Sequence, residues 1–276
     1  MKRSSRKQVS EETLKIIERG SYQNAHSQTV SIRSETNFAV KNSRLFRTED
    51  FPGCLELTKT AGETKFEVTA ETTLEAAARI CAEDEGADPF VLNFASAKNP
   101  GGGFLNGSQA QEESLARSSS LYACLQANFE MYQFNRAGNS CLYSDWMIYS
   151  PRVPVFRNDD GDLLEKFYAV SFLTSPAVNA GAVKQKEPDK IALIESVNRE
   201  RARKVLWVAN QNQHQILILG AWGCGVFGND PEMIARIFDD LLRGEFAGCF
   251  QRVVMAIYDR TPNQEVLTAF QAKVGK

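Results

Sequence analysis

The sequence predicts an α/β protein in which a central mixed, largely parallel β-sheet is covered by helices on both faces. Apolar, strand-like runs alternate with amphipathic, helix-like segments along most of the chain. The 276 residues, of which 43% are hydrophobic and 24% are charged, suffice to bury a substantial core. We therefore expect a single domain over residues 1–276, in which about the first 60 residues form an N-terminal extension packed on the rest.

The first third of the chain contains signals for two helices and two strands. A helix is predicted near residues 11–19 and a strand at residues 65–69. Thr72-x-x-Glu75 has the spacing of a capping box, and the apolar residues that follow it have helical periodicity until Gly86. The apolar run Phe-Val-Leu-Asn-Phe-Ala at residues 90–95 is typical of a fully buried strand.

A glycine-rich loop follows this strand. Residues 101–103 are three consecutive glycines, whose backbone can approach a ligand closely because it carries no side chain. Ser108-x-x-Gln111 predicts a second capping box, which opens one helix with Leu115, Tyr122 and Leu125 on a single face. A helix start offers unpaired N–H groups to an anion. The loop therefore predicts a site for a phosphate-bearing substrate.

Two carboxylates, Glu112 and Glu113, lie just inside the predicted helix. Acids in this position indicate acid/base chemistry beside the bound phosphate, although acids also favour a helix N-terminus for purely structural reasons.

The second half of the chain continues the alternation of strands and helices. A second glycine-rich loop, residues 220–228, follows an apolar strand and precedes a helix that begins at Pro231. The other predicted elements are strands at 145–149, 167–172, 215–219 and 252–258, a turn at 158–161, and helices from Pro188 to about 209 and at 262–272. The two glycine loops are expected to face each other across a crevice at the carboxyl ends of the strands and to bind a diphosphate that joins two sugars.

Composition excludes several other classes. A net charge of −2 gives no general attraction to duplex nucleic acid or to anionic membranes. The six cysteines contain no CxxC pair, and His26 and His214 are far apart, so neither a zinc site nor a histidine base is expected. The basic residues 1–7 are followed by polar sequence, and no apolar run approaches the ~20 residues of a membrane span. We expect a cytoplasmic protein.

At this point the residues carry a family resemblance. The triple glycine, followed within several residues by Gln-Glu-Glu at 111–113, resembles the signature of bacterial-type poly(ADP-ribose) glycohydrolases. The run Gly-Cys-Gly-Val-Phe-Gly at 223–228 is similar to the second phosphate loop of macrodomains, the ADP-ribose-binding superfamily to which that family belongs. The resemblance implies a three-layer α/β/α macrodomain-like fold, a glycosidase that hydrolyses ribose–ribose bonds, and a link to the DNA damage response.

The resemblance also implies roles for individual residues. Glu113 would be the general acid that protonates the leaving oxygen, and Glu112 would hold the riboses. Asn93 would contact the terminal ribose, and Phe227 would pack near the distal ribose. The other implied ADP-ribose contacts are Gly101, Gly102, Gly103, Gln111, Gly223, Cys224, Gly225, Val226 and Gly228. The implied ligands are poly(ADP-ribose) and ADP-ribose, with ADP-ribosylated proteins as substrates and no metal or cofactor.

Helix geometry limits how the carboxylate pair can act. Adjacent helical residues point about 100° apart, so Glu112 and Glu113 cannot flank one glycosidic bond as the two acids of ordinary glycosidases do. One acid is therefore expected to transfer the proton and the other to position the substrate, while a substrate phosphate activates the water. Since a helix N-terminus favours the carboxylate anion, burial by substrate and the charge of Glu112 must keep the proton on Glu113.

Alternatives stay open at this stage. The same crevice could serve a non-catalytic ADP-ribose reader, or an enzyme that acts on another derivative such as a mono-ADP-ribosylated protein. Cys224 is expected to be structural rather than nucleophilic, because no histidine lies near it in sequence. The basic run at residues 199–204 is interpreted as a solvated helix face, with attraction of a polyanionic substrate as the alternative.

Overall fold

A computed structural model describes residues 1–54, 56–60 and 62–275. The strands, in chain order, are β1 (Ser21–Gln23), β2 (Thr29–Ser31), β3 (Arg44–Phe46), β4 (Lys65–Thr69), β5 (Phe90–Phe94), β6 (Met147–Arg157), β7 (Leu163–Ser175), β8 (Ile216–Gly220) and β9 (Arg252–Ala256). The α-helices are α1 (Arg3–Arg19), α2 (Arg33–Asn42), α3 (Thr73–Glu83), α4 (Gln111–Ser118), α5 (Leu121–Ala127), α6 (Glu130–Ala137), α7 (Ala180–Lys186), α8 (Ile194–Gln211), α9 (Pro231–Arg243) and α10 (Glu265–Val274). Short 3₁₀ helices occur at Thr48–Asp50, Phe104–Asn106 and Pro188–Leu193.

Seven of these strands form one mixed sheet in the order β3-β6-β7-β5-β8-β9-β4. Strands β7, β5, β8, β9 and β4 pair in parallel, whereas β6 is antiparallel to both of its neighbours. The carboxyl ends of β5, β7 and β8 therefore meet at one edge of the sheet. This edge is where an α/β sheet opens a crevice for a ligand.

Helices cover both faces of the sheet. Side chains on β5 alternate between two cores, because Phe90 and Leu92 pack with α8, α9 and α10 while Val91 packs with α3, α4 and α5. Both cores are built from fully buried aliphatic and aromatic residues. The predicted three-layer arrangement and the buried central strand are confirmed.

Local signals in the sequence located several helix starts. Thr72 caps α3, since its Oγ1 accepts from the Glu75 N–H (3.0 Å) while the Glu75 carboxylate accepts from the Thr72 N–H (2.7 Å). Asp230 caps α9 and Pro231 occupies its first turn. The predicted turn at residues 158–161 joins β6 to β7, with Gly161 at φ +97°.

The second predicted capping box is wrong. Helix α4 begins at Gln111, and Ala110 occupies the N-cap without a side-chain hydrogen bond. The Gln111 amide binds the main chain of β5 instead, accepting from the Phe94 N–H (2.8 Å) and donating to the Leu92 carbonyl (2.8 Å). Bonds to a neighbouring strand have thus replaced a local cap.

The single helix predicted after the glycine loop is in fact two helices, α4 and α5. Ser119 has extended dihedral angles and forms an antiparallel bridge with Val155 of β6. Ser120 bonds to Thr36 of α2 through the two hydroxyl groups (2.8 Å). Contacts to distant segments therefore break the helix in a stretch whose apolar spacing is continuous.

Two further boundaries differ from the sequence prediction. Helix α1 begins at Arg3 rather than near residue 11, so the basic N-terminus is helical. Strand β6 continues past Pro151 because a register shift between Ser150 and Val153, with Arg152 at φ +48°, accommodates the proline. No helix among the described residues is long and apolar enough to cross a membrane.

Candidate active site

The glycine turn after β5 brings bare backbone against the carboxylate pair. Gly101 and Gly102 have φ values of +67° and +59°, which favour glycine. A Cβ atom at Gly102 would lie 2.5 Å from Glu113 Oε1 and 3.1 Å from Glu112 Oε2. The two carboxylates therefore converge over Gly102 although their residues are adjacent on α4, and a side chain there would displace them.

Among the described residues, only one of the two carboxylate oxygens of Glu113 accepts a hydrogen bond. The Gly103 N–H donates to Glu113 Oε1 (2.9 Å). Glu113 Oε2 is buried, and no hydrogen-bond partner for it exists among the described residues. Since a buried carboxylate oxygen without a partner is costly, a hydrogen-bond donor or acceptor that reached this atom would stabilise the site.

Glu112 is buried and bonded to the protein. Its Oε2 accepts from the Ser96 N–H (2.6 Å), and its Oε1 accepts from Asn93 Nδ2 (3.3 Å). Burial, reinforced by the charge of Glu113, raises the pKa of Glu112 to about 8 against the opposing effect of these donors. The carboxyl pair therefore brings at least one proton to the site at neutral pH.

Asn93, the penultimate residue of β5, is hydrogen-bonded to this pair through Glu112. Its side chain is fully buried, and Nδ2 donates to Thr174 Oγ1 (3.1 Å) on β7 as well as to Glu112. The Asn93 Oδ1 atom is a second buried acceptor without a partner in the described chain. The structure thus places Asn93, Glu112 and Glu113 together, with two buried acceptors that receive no hydrogen bond from the described residues.

Helix α4 is fixed by contacts remote in sequence. Asp159, at the tip of the β6–β7 hairpin, accepts from Ser114 Oγ (2.6 Å) on α4 and from Thr72 Oγ1 (2.6 Å) at the start of α3. Gln111 ties α4 to β5, and its Nε2 also donates to Thr73 Oγ1 (3.1 Å). The Gln111 amide is therefore satisfied by the protein, and we assign it to holding α4 in place.

The second glycine loop is rigid at its ends and open at its tip. A Cβ atom at Gly223 would lie 2.5 Å from both Ala177 Cβ and Asn229 Nδ2, whereas one at Gly225 would meet nothing within 4 Å. Val226 is 92% exposed. The N–H groups at this tip can therefore be approached from solvent, as anion binding requires.

Buried amides hold the ends of this loop. Asn229 Nδ2 donates to the carbonyls of Val178 (2.7 Å) and Gly223 (3.1 Å), and Asn198 Nδ2 donates to Asn229 Oδ1 (2.8 Å). The Gly181 N–H donates to the carbonyl of Phe227 (2.9 Å). The loop conformation is therefore set before any ligand arrives.

The side chains of Phe227 and Cys224, two of the predicted ADP-ribose contacts in this loop, are both partly buried. The Phe227 ring is partly buried, and its centroid lies 5.9 Å from that of Tyr143. Burial, together with the charge of Asp230, raises the pKa of the Cys224 thiol to about 12, so it stays protonated at neutral pH and is a poor nucleophile. This agrees with the structural interpretation of Cys224.

Sequence reasoning missed several residues that support the site. Ser96 and Thr174 have no motif that marks them, since Ser96 acts through its main-chain N–H and Thr174 reaches Asn93 only through the pairing of β5 with β7. Arg201, interpreted as part of a solvated face, is buried and donates to the carbonyls of Pro176 (2.8 Å), Leu142 (2.9 Å) and Tyr143 (3.1 Å). That interpretation is wrong for Arg201, whose pKa burial lowers to about 10.

Comparison with known proteins identifies the family. A family model described as the catalytic domain of microbial-type PARG, where PARG denotes poly(ADP-ribose) glycohydrolase, matches residues 10–158, just over half of the chain. The chain belongs to this family. No curated protein sequence gave a significant match.

Solved structures of bacterial PARG proteins are similar over nearly the full chain. A poly(ADP-ribose) glycohydrolase from Thermomonospora curvata is 46% identical with a TM-score of 0.93, and the match covers 98% of this chain and 99% of that one. The same comparison with its complex with the inhibitor ADP-HPD gives a TM-score of 0.90 at the same identity and coverage. The enzyme from Deinococcus radiodurans in complex with ADP-ribose is 46% identical with a TM-score of 0.81, and the match covers 86% of this chain and 96% of that one.

We predict that Glu112 makes the folded protein less stable as pH rises. Its pKa is raised from 4.5 to about 8 on folding, so its stabilising contribution is present below the unfolded value and is lost as pH rises through the folded one. The free energy of unfolding should fall with pH over this window by at most about 1.4 kcal/mol per pH unit relative to Glu112→Gln. Urea denaturation of both proteins at several pH values measures this difference. Parallel pH dependences for the two proteins would contradict the prediction.

Proposed function

We propose that this PARG-family protein hydrolyses the ribose–ribose O-glycosidic bonds of poly(ADP-ribose), with Glu113 as the general acid and Glu112 positioning the riboses. The assignment rests on the different environments of the two oxygens of the Glu113 carboxylate. One oxygen is fixed by the Gly103 N–H, and the other is buried without a partner beside the glycine turn. A carboxyl group anchored in this way has one oxygen oriented to donate a proton to the leaving ribose oxygen.

Glu112 suits a positioning role. Because both of its oxygens already accept hydrogen bonds from Ser96 and Asn93, its orientation is set before substrate binds. With a pKa of about 8, it is largely protonated at neutral pH and can donate a hydrogen bond to a ribose hydroxyl. A neutral Glu112 no longer supplies the repulsion that the sequence-based expectation invoked, so we propose that burial by bound substrate keeps the general acid protonated.

The two glycine loops are proposed to hold the diphosphate. Their N–H groups lie at the carboxyl ends of β5 and β8, which are neighbours in the sheet. Gly101, Gly102 and Gly103 would enclose the distal ribose and one phosphate, and the tip at Gly225 and Val226 would donate to the other. Support comes from the relatives, among which the Deinococcus radiodurans enzyme binds ADP-ribose and the Thermomonospora curvata enzyme binds ADP-HPD.

No observation specifically favours the two alternative functions, a non-catalytic ADP-ribose-binding protein and an enzyme that acts on mono-ADP-ribosylated proteins. Family membership and the carboxylate pair both favour hydrolysis of the polymer. A cytoplasmic location, a link to the DNA damage response, ADP-ribosylated proteins as substrates, and the lack of duplex nucleic-acid or membrane partners stay predictions.

We predict that Glu113→Gln folds, binds ADP-ribose and loses turnover of poly(ADP-ribose) by about 10²–10⁴-fold, because the amide keeps the shape but cannot donate the acidic proton. Product release from purified polymer measures turnover, and calorimetry measures ADP-ribose binding. Glu232→Gln is the matched control, since Glu232 is an exposed acid in the first turn of α9 and should retain full activity. Comparable turnover by Glu113→Gln and the wild type would overturn the assignment of the acid.

The two glycine loops give a second prediction. Gly225→Ala adds a methyl group to open space and should leave the melting temperature of the free protein unchanged while weakening ADP-ribose binding. Gly102→Ala places a methyl group 2.5 Å from Glu113 Oε1 and should lower turnover by about tenfold or more. Thermal melting with and without ADP-ribose separates these effects. Unchanged ADP-ribose affinity in Gly225→Ala would show that the second loop does not hold the diphosphate.

Turnover is also expected to be independent of divalent metals, because Glu113 supplies the proton for the leaving oxygen. In the described parts of the chain, no group of three or more His, Cys, Asp or Glu side chains is placed to hold a metal ion. Dialysis against EDTA should leave kcat within about twofold of its starting value. Loss of activity on chelation, with recovery on adding one divalent cation, would contradict this expectation.

A further inference from the structure

Helix α1 packs against the segment that carries the two carboxylates. Four of its side chains donate hydrogen bonds to main-chain carbonyls within residues 104–117. The bonds run from Arg3 Nε to Asn106 (3.0 Å), from Arg6 Nε to Gly107 (2.8 Å), from Ser10 Oγ to Phe104 (2.7 Å) and from Thr13 Oγ1 to Arg117 (2.6 Å). The first three carbonyls belong to the turn that connects the glycine run to α4.

The four donors form one face of α1. Their spacing of three, four and three residues repeats with the period of an α-helix, so the side chains align on one side. Ser10 and Thr13 are fully buried. The Phe104 and Arg117 carbonyls would each lose a buried hydrogen-bond donor if these hydroxyls were removed, which costs free energy.

Backbone packing brings α1 still closer to the turn. Gly107 has φ +72°, and a Cβ atom there would lie 2.3 Å from the main-chain oxygen of Arg3. Only glycine permits this approach. The turn and the first residues of α1 are therefore in direct backbone contact.

The same turn sets the position of the Gly103 N–H. The Gly103 carbonyl accepts from the N–H groups of Asn106 (3.0 Å) and Ser108 (3.2 Å), so the residue is part of the turn that α1 holds. The Gly103 N–H in turn donates to Glu113 Oε1. A shift of the turn would therefore move the only hydrogen bond that the described residues supply to this carboxylate.

We propose that Arg6 and Ser10 are positioning residues for hydrolysis, which fix the turn at residues 104–107 so that the Gly103 N–H stays on Glu113. The proposal rests on the general-acid role of Glu113 proposed above. The family model begins its match at residue 10, so Arg6 lies outside it. The basic N-terminal segment would then help to hold the acid in position.

Ser10→Ala tests the proposal, and Ser4→Ala is its matched control. Both changes remove a serine hydroxyl from α1, but Ser4 is exposed and its side chain makes no hydrogen bond among the described residues. Ser10→Ala should lower kcat by about tenfold or more and should weaken ADP-ribose binding by a smaller factor, because the Gly103 N–H that positions the acid also belongs to the loop proposed to enclose the ribose. Ser4→Ala should behave as the wild type. Assays run well below each melting temperature, so that every variant is folded.

Arg6→Ala, compared with Lys7→Ala, provides a second and independent pair. Each change removes one positive charge from α1, but Lys7 is exposed and makes no hydrogen bond to the turn among the described residues. Arg6→Ala should lower kcat as Ser10→Ala does, and Lys7→Ala should not. An equal loss of kcat in Ser4→Ala or Lys7→Ala would overturn the proposal, since general perturbation of the helix would then explain the effect.

A double-mutant cycle with Glu113→Gln decides whether Ser10 acts through Glu113. If it does, Ser10→Ala should leave the residual turnover of Glu113→Gln unchanged, because no acid remains to be positioned. The same fractional loss in both backgrounds would overturn the proposal. Full activity of Ser10→Ala and Arg6→Ala beside an inactive Glu113→Gln would also overturn it and leave the general acid intact. Turnover by Glu113→Gln comparable to that of the wild type would instead refute the proposed role of Glu113 as the general acid.

Discussion

The site depends on one close contact, in which two carboxylates stand over a residue without a side chain. Two acids that converge on Gly102 repel each other, and burial makes the repulsion stronger than it would be in water. The protein relieves this by protonating Glu112 and by donating N–H groups from Ser96 and Gly103 to the pair. Those donors lie in the loop that follows β5, so the loop and the acids must fold as one unit.

That unit is held from several directions by parts of the chain that are distant in sequence. Thr174 of β7 orients Asn93 below the acids, and Asp159 at a hairpin tip binds α4 from the side. Helix α1 donates hydrogen bonds to the carbonyls of the turn that connects the glycine run to α4. Such support is what a catalytic group requires, because its geometry must be correct before the substrate binds.

The sequence predicted which residues come together at the candidate site better than it predicted the boundaries of the elements around them. The glycine runs and the acid pair are contiguous, so their chemistry can be seen without knowing what packs on them. Capping signals also located the starts of α3 and α9, where the cap is a local interaction. The break between α4 and α5 was missed because Ser119 pairs with Val155, a contact that no local pattern encodes. Arg201 was misread for the same reason, since its carbonyl partners come from other segments.

The position of β5 in the sheet has a consequence for how the protein is made. Its two neighbours, β7 and β8, are both encoded after it, so during synthesis the strand that carries Asn93 has no partner on either edge until much later residues have left the ribosome. Parallel strands with such long separations pair slowly, and an unpaired apolar strand is prone to associate with other chains. A nascent chain that ends before residue 216 therefore lacks the second glycine loop and leaves one edge of β5 unpaired. The pairing of β8 with β5 therefore covers an apolar strand edge and brings the two glycine loops together in one step.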